Sequence, residues 1–453
     1  MDEKIAIVGA GISGLGAGYQ LMKAGFEPVI FEKESFIGGR MSSDRVDGFT
    51  IDKGAYTFPE FHKNLRRFVE NLGMGNNLIQ TPGTTSTFSE GKEYQIKIGS
   101  IMDFLKYKLI STKSKKDMIK LFLYAQSLGK ALDLGQPTKK TFELEKDSAT
   151  KYLLENYDQQ ILEKIAYPIF CEIFLGTPEI NSKLAFLATI KNLTNFKIFA
   201  FDAGMGMVPE HLMKELNVRL NSPVFKISSK ADKGPYEVYV GGNNPESLAF
   251  DAVIVAIPLP IVPRILVLPK ELKQCFSDVV YSPSIVTSLA VEGEYSNTSM
   301  INNLLRTDCG VLGTVVFDRH KNRKRVPQGK ELVTAILCEK ASRALFHESD
   351  DRITTEVLKE MDALFHGLSN KLIFSRIYRW EYGAIQLQPG SLLRQHPIRK
   401  TIENGFDNLY FAGDGLYKSS LEVSFNTGIR AANQIIKKMR ERSISNNKKV
   451  TQT

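Results

Sequence analysis

The chain has 453 residues, 43% of them hydrophobic and 24% charged, with a formal net charge of +9. Such a chain is long enough for two folded domains, and no stretch reaches the roughly 18 apolar residues of a membrane-spanning helix. The basic balance suits anionic partners, but no zinc-finger or RNA-binding signature accompanies it, which argues against nucleic acid.

The four cysteines, Cys171, Cys275, Cys309 and Cys338, form no CxxC pair, and the six histidines show no metal-binding spacing. Reduced thiols, no disulfide framework and no metal site are therefore expected. The first residues lead straight into an apolar run, so no signal peptide is expected, and the location expected is cytoplasmic.

Lys4-Ile5-Ala6-Ile7-Val8 reads as a buried parallel strand. Gly9-Ala10-Gly11-Ile12-Ser13-Gly14 follows, then a helical pattern with Leu15, Tyr19, Leu21 and Met22, then a second strand, Pro28-Val29-Ile30-Phe31, ending on Glu32. Gly9 allows a tight turn, Gly11 lets backbone approach a pyrophosphate, and Gly14 lets the helix lie close to the strand. The helix start, with Ile12 and Ser13, aims N–H groups and partial positive charge at phosphates. Glu32 stands about twenty residues past the glycines, where an acid accepts from a ribose diol. Strand, glycines, helix, second strand and acid in register make this a dinucleotide grip.

Gly38-Gly39-Arg40 comes next, with close backbone approach and a permanently charged, forked donor for phosphate. Ile51-Asp52-Lys53-Gly54-Ala55-Tyr56 is a further small-residue turn. Residues 100–134 are rich in helix formers and mix bulky apolar side chains with Lys106, Lys108, Lys113, Lys115, Lys116 and Lys120. They read either as a helical lid with solvated lysines or as a basic amphipathic segment on an anionic membrane surface.

Gly204-Met205-Gly206 leads into a helix with Pro209 in its first turn, and strands are expected at 222–227, 236–240 and 251–258. Strands at 285–291 and 331–337 and a helix at 352–365 suggest a sheet flooring a pocket. Near the end, Leu409-Tyr410-Phe411-Ala412-Gly413-Asp414 repeats the strand, glycine turn and acid pattern, and a helix start follows at Leu421-Glu422-Val423. The last dozen residues look basic and frayed.

Together these segments resemble the flavoprotein superfamily of flavin amine oxidases, protoporphyrinogen oxidases and carotenoid desaturases. The resemblance implies an α/β fold. It has a discontinuous Rossmann-type FAD-binding domain (1–75, 203–285 and 380–440), an inserted α+β substrate domain (76–202 and 286–379) and a basic flexible tail (441–453). It implies FAD as cofactor, contacted by Gly9, Gly11, Ile12, Ser13, Gly14, Glu32, Lys33, Gly39, Arg40, Gly54, Ala55, Val224, Gly413, Asp414, Leu421, Glu422 and Val423.

Departures from the family pattern narrow the branch. Monoamine oxidases often tether FAD through a cysteine, and alignment on Gln388-Pro389-Gly390 places Tyr382 there, so FAD is expected to be non-covalent. The second wall of the amine oxidases' aromatic cage falls near Ser420, with Tyr417 close by. The lysine many of them hold near flavin N5 is missing from residues 281–291.

The stretch 281–291, with Arg379-Trp380 and Pro389-Gly390, resembles more closely the protoporphyrinogen oxidase-like members, which take hydride from a carbon of a largely apolar substrate and pass electrons to oxygen or a quinone. A polyene or lipid desaturase or isomerase, an amine oxidase, and a flavin-bound binding protein without turnover remain as alternatives. No catalytic residue stands out. His62, His211 and His396 are each more ordinary as structural or surface residues. Lys92, Lys97 and Arg379 are cations that a substrate carboxylate would meet if they did not simply face solvent. Nothing indicates oligomeric state.

Overall fold

A computed structural model describes residues 3–450 except 195, 230–234, 243, 296–298 and 309, with side chains as far as residue 441. Strand β1 (Ile5–Val8) is fully buried, as expected for a run without polar residues. It is the middle strand of a five-stranded parallel sheet. On one side lie β2 (Val29–Phe31) and Asn217–Arg219, on the other Ala252–Val255 and Leu409–Phe411. Segments more than two hundred residues apart thus become neighbours, which is the discontinuous Rossmann-type arrangement the motifs imply.

Helix α1 (Ile12–Lys23) covers one face of this sheet, and the C-terminal helix Leu421–Val450 packs across α1. A Cβ at Gly428 would stand 2.0 Å from the Ser13 carbonyl oxygen, so the two helices touch backbone to backbone. That contact delivers the C-terminal motif to the N-terminal one. Ile5, Ile7, Leu15, Leu21, Ile30, Ala432 and Ile435 fill the space between sheet and helices. On the opposite face, an antiparallel meander of Val224–Ser229, Tyr236–Val240 and Glu246–Phe250 closes the domain.

The second domain is built on a seven-stranded sheet in the order Leu372–Ile385, Tyr281–Glu292, Lys330–Leu337, Leu312–Phe317, Ile301–Leu304, Thr84–Ser89, Lys92–Lys97. All neighbours are antiparallel except Ile301–Leu304 with Thr84–Ser89. The helix Asp350–Leu364 lays Ile353, Val357 and Met361 on one face against Leu289, Val315 and Val333. Strands Tyr281–Glu292 and Leu372–Ile385 run straight through residues 285 and 379, so these two strands join the domains as well as floor the second.

The C-terminal helix continues to Val450, into the segment expected as a basic tail. The segment holds no proline or glycine and follows a long nucleated helix, so adding residues is cheap despite its charge. Residues 451–453 lie outside the described residues. Among the described residues no helix is long and apolar enough to cross a membrane.

Candidate functional site

The turn after β1 is shaped by the lack of side chains. Gly9 has φ +102°, and a Cβ on Gly14 would lie 1.9 Å from the Gly9 carbonyl oxygen, so α1 can start only with glycine there. Gly11 differs: a Cβ on it would meet nothing within 4 Å. The space in front of the helix start is open at the place where a pyrophosphate would sit.

Glu32, 8% exposed at the end of β2, accepts from the Ala10 N–H (Oε2, 2.8 Å) and the Glu34 N–H (Oε1, 3.0 Å). Burial raises its pKa, with the two N–H groups working against that. The carboxylate is fixed beside the glycine turn, with lone pairs left for a diol. The Ser222 N–H donates to the Glu32 carbonyl at 2.7 Å, which starts the Val224 strand alongside the same spot. The Lys33 side chain, next along, is 69% exposed and pairs with Glu34 at 3.2 Å.

Gly38 donates from its N–H to the Ala10 carbonyl at 2.9 Å, docking Gly38-Gly39-Arg40 onto the first turn. Ala55 donates to the Arg40 carbonyl at 2.8 Å, and a Cβ on Gly54 would strike that carbonyl at 2.7 Å. Arg40 Nη1 donates to the Gly383 carbonyl and to Asp414 Oδ2, both at 2.8 Å. Asp414 is held further by Tyr281 Oη (3.1 Å) and Ser419 Oγ (3.0 Å). Gly413, like Gly11, has open space where a Cβ would be.

Both ends of the chain and the Arg40 and Gly54 turns therefore meet around two open backbone positions, an arginine and an acid. That set fits FAD: backbone N–H groups and Arg40 for its pyrophosphate, Glu32 for its ribose, and the start of the C-terminal helix for an electron-rich ring edge. Leu421, Glu422 and Val423 are half-buried in that first turn. The Glu422 carboxylate is already used, accepting from the N–H groups of Asn64 (2.9 Å) and Leu65 (2.8 Å) at the start of α2 (Lys63–Asn71). What this helix end offers a ligand is backbone, not carboxylate.

Beyond Ala55 the seam between the domains carries further ionisable groups: Glu172, which sequence reasoning missed, and His62, which it set aside as structural or surface. Tyr56 Oη donates to Glu172 Oε1 at 3.2 Å, and Asn303 Nδ2 to Oε2 at 3.0 Å. Burial raises the pKa of Glu172, and these two bonds only partly offset it. His62 stacks on Phe58 and places Nε2 3.0 Å from Ser420 Oγ, while its buried Nδ1 has no hydrogen-bond partner among the described residues. Its pKa is pushed down to about 3, by burial first and then by Lys418.

Lys418 itself is half-buried and makes no hydrogen bond or ion pair among the described residues. Burial lowers its pKa, with Asp133 of the second domain acting the other way. The only sequence signal for it was its place between Asp414 and Leu421.

The cations singled out from sequence lie elsewhere. Lys92 and Lys97 are exposed on an edge strand, and Arg379 is occupied by Asp350 (2.6 Å) and by the carbonyls of Phe346 and Glu348. His211 lies 3.4 Å from Glu215 and His396 packs on Phe142, so neither enters the site.

A sequence model for flavin containing amine oxidoreductases matches residues 12–436. Protoporphyrinogen oxidase 2 (chloroplastic/mitochondrial) of Arabidopsis thaliana is 22% identical, over 99% of this chain and 96% of its own length. L-amino-acid oxidase of Echis ocellatus is 24% identical, but the match covers 56% of this chain and 51% of that relative. Among solved structures, putrescine oxidase bound to putrescine superposes with a TM-score of 0.78 at 18% identity, covering 96% of this chain and 99% of the other. The chain belongs to the flavin containing amine oxidoreductase family and is an FAD-dependent oxidoreductase.

Proposed function

We propose that this oxidoreductase takes hydride from a carbon of a largely apolar, carboxylate-bearing substrate of the porphyrinogen type, passing the electrons to oxygen or a quinone. FAD, held without a covalent link, supplies the hydride acceptor at N5. The chain's own residues position the carbon and keep water away.

The observation that carries this reading lies between Tyr417 and Ser420. Tyr417, the residue nearest to completing an amine oxidase's aromatic cage, is committed elsewhere. Its hydroxyl donates to Glu403 and accepts from Arg430 Nη1 (2.6 Å), and the Arg399 guanidinium lies 4.4 Å from its ring centre. At the wall position itself stands Ser420, bonded to His62. The neighbouring Lys418 ammonium repels a cationic amine and attracts a carboxylate. The strand Tyr281–Glu292 carries no lysine, which counts further against an amine oxidase.

A second reading has one observation in its favour. Glu172, half-buried beside Tyr56, is a carboxyl that an ammonium would ionise and pair with. The two separate in anaerobic rapid mixing of the FAD-loaded protein with a porphyrinogen, a diamine, an L-amino acid and a polyene. Bleaching of the flavin by the porphyrinogen is expected; bleaching by amines alone would overturn the proposal. Reoxidation by oxygen against a quinone then identifies the acceptor.

A further inference from the structure

The helices α3 (Ile101–Lys106) and α4 (Thr112–Ser127) present apolar side chains that nothing among the described residues covers. On α3, Ile101 and Met102 are 70% and 62% exposed, Leu105 is exposed as well, and no residue of the helix is buried. Isolated helices this short do not persist in water, and a surface helix normally holds its place by burying its apolar side.

Helix α4 does this on one face only. Ser114, Met118, Leu121 and Ala125 turn inward, toward the helix Lys183–Lys191. The opposite face reads Lys116, Ile119, Lys120, Leu123 at helical spacing, all exposed, with Leu123 at 60%. Lys115 Nζ donates to the Leu105 carbonyl at 2.7 Å, fastening the end of α3 to the start of α4.

Charge on this face is one-sided. Six lysines lie between 106 and 120 against Asp103 and Asp117. Lys113 pairs with Asp158 and Lys120 with Asp117, whereas Lys106, Lys108 and Lys116 meet no carboxylate among the described residues. A second copy of the chain would bring a like-charged face, which opposes self-association through this surface.

We propose that α3 and α4 dock on an anionic lipid bilayer, with the apolar side chains at the boundary of headgroups and acyl chains and the lysines among phosphates. Contact is interfacial, since no described helix is long and apolar enough to span. The inference stands apart from the substrate reading, and neither fails with the other.

The test is co-sedimentation of the FAD-loaded full chain with phosphatidylcholine vesicles, plain or containing phosphatidylglycerol, at low and high salt. Pelleting is expected with the anionic vesicles at low salt and should weaken as salt rises. Two double variants, Met102→Ser with Leu123→Ser and Lys116→Glu with Lys120→Glu, should keep FAD and melting temperature while binding about tenfold more weakly or worse.

Absence of pelleting at low salt overturns the proposal. So does pelleting that both variants leave unchanged, which would place the contact elsewhere on the chain. Dimerisation in sedimentation velocity that the Leu123→Ser pair abolishes, without vesicle binding, would assign the face to a second copy.

Discussion

Arg325 Nη2 donates to Asp52 Oδ2 at 2.6 Å, with the two side chains 0% and 2% exposed. Lys321 Nζ reaches the same oxygen at 3.2 Å, and Ser43 Oγ and the Met205 N–H donate to the other, each at 2.8 Å. Asp52 stands two residues before Gly54, while Arg325 and Lys321 belong to the second domain. A buried charge cluster thus locks the turn beside the cofactor site to a connection of the seven-stranded sheet. Breaking a buried pair from one side leaves an uncompensated charge, so Arg325→Met should cost about 3–5 kcal/mol. A urea melt would measure it, and a loss within error would mean the cluster is not structural.

Glu331, at the end of the same sheet, has its pKa raised to about 7, by burial first, against the N–H groups of Leu332 and Arg319. A carboxyl with a raised folded-state value binds its proton more tightly in the native state. Its stabilisation is complete below the ordinary value of 4.5 and is lost as pH rises through about 7. Glu331→Gln should therefore gain on the native protein between those limits, by on the order of 1–3 kcal/mol. Thermal melts across that range check it; parallel curves would refute the burial argument.

Two glycines separate folding from binding. Gly14→Ala forces backbone against backbone and should lower the melting temperature of the apoprotein. Gly11→Ala meets no protein atom, so it should fold normally and bind FAD at least about tenfold more weakly, because the methyl takes phosphate space. Melting curves and FAD titration distinguish them. Tight FAD binding by Gly11→Ala would move the pyrophosphate elsewhere.

Glu422 tests a division of labour at the C-terminal helix. With its carboxylate capping α2, Glu422→Ala should cost about 0.5–2 kcal/mol of stability and leave FAD affinity nearly unchanged. A large loss of FAD without loss of stability would return the side chain to the cofactor.

How far the sequence discloses this protein follows from the range of the interactions. The glycine turn, Glu32, Gly38-Gly39-Arg40 and Gly413-Asp414 are local patterns whose physics lies within a few residues, and the structure brings all of them to one place. The two cationic partners of Asp52 are some 270 residues away, and no spacing announces them. Arg379 carried suitable chemistry but is taken up by Asp350 and two backbone carbonyls, partners that no local spacing discloses. Glu172 comes from a helix of the inserted domain and reaches Tyr56 only through tertiary packing. The helix runs on to Val450 through a basic stretch because propagation, unlike nucleation, costs little, and charge alone does not mark where a helix stops.

Lys418 bears on the substrate. Lys418→Gln should weaken an aromatic carboxylate probe such as benzoate, read as a shift of the bound flavin spectrum, by about tenfold or more. Lys418→Arg should restore much of it, with FAD content unchanged in both. Equal affinities throughout would remove the anionic subsite.

The central claim is that the two ends of the chain close on one non-covalent FAD. The most direct measurement is the visible spectrum of the purified protein, reconstituted with FAD if necessary, before and after acid precipitation. An oxidised-flavin spectrum whose colour passes wholly to the supernatant is the predicted result. Flavin retained in the pellet would contradict the non-covalent site, and no flavin even after reconstitution would contradict the site itself.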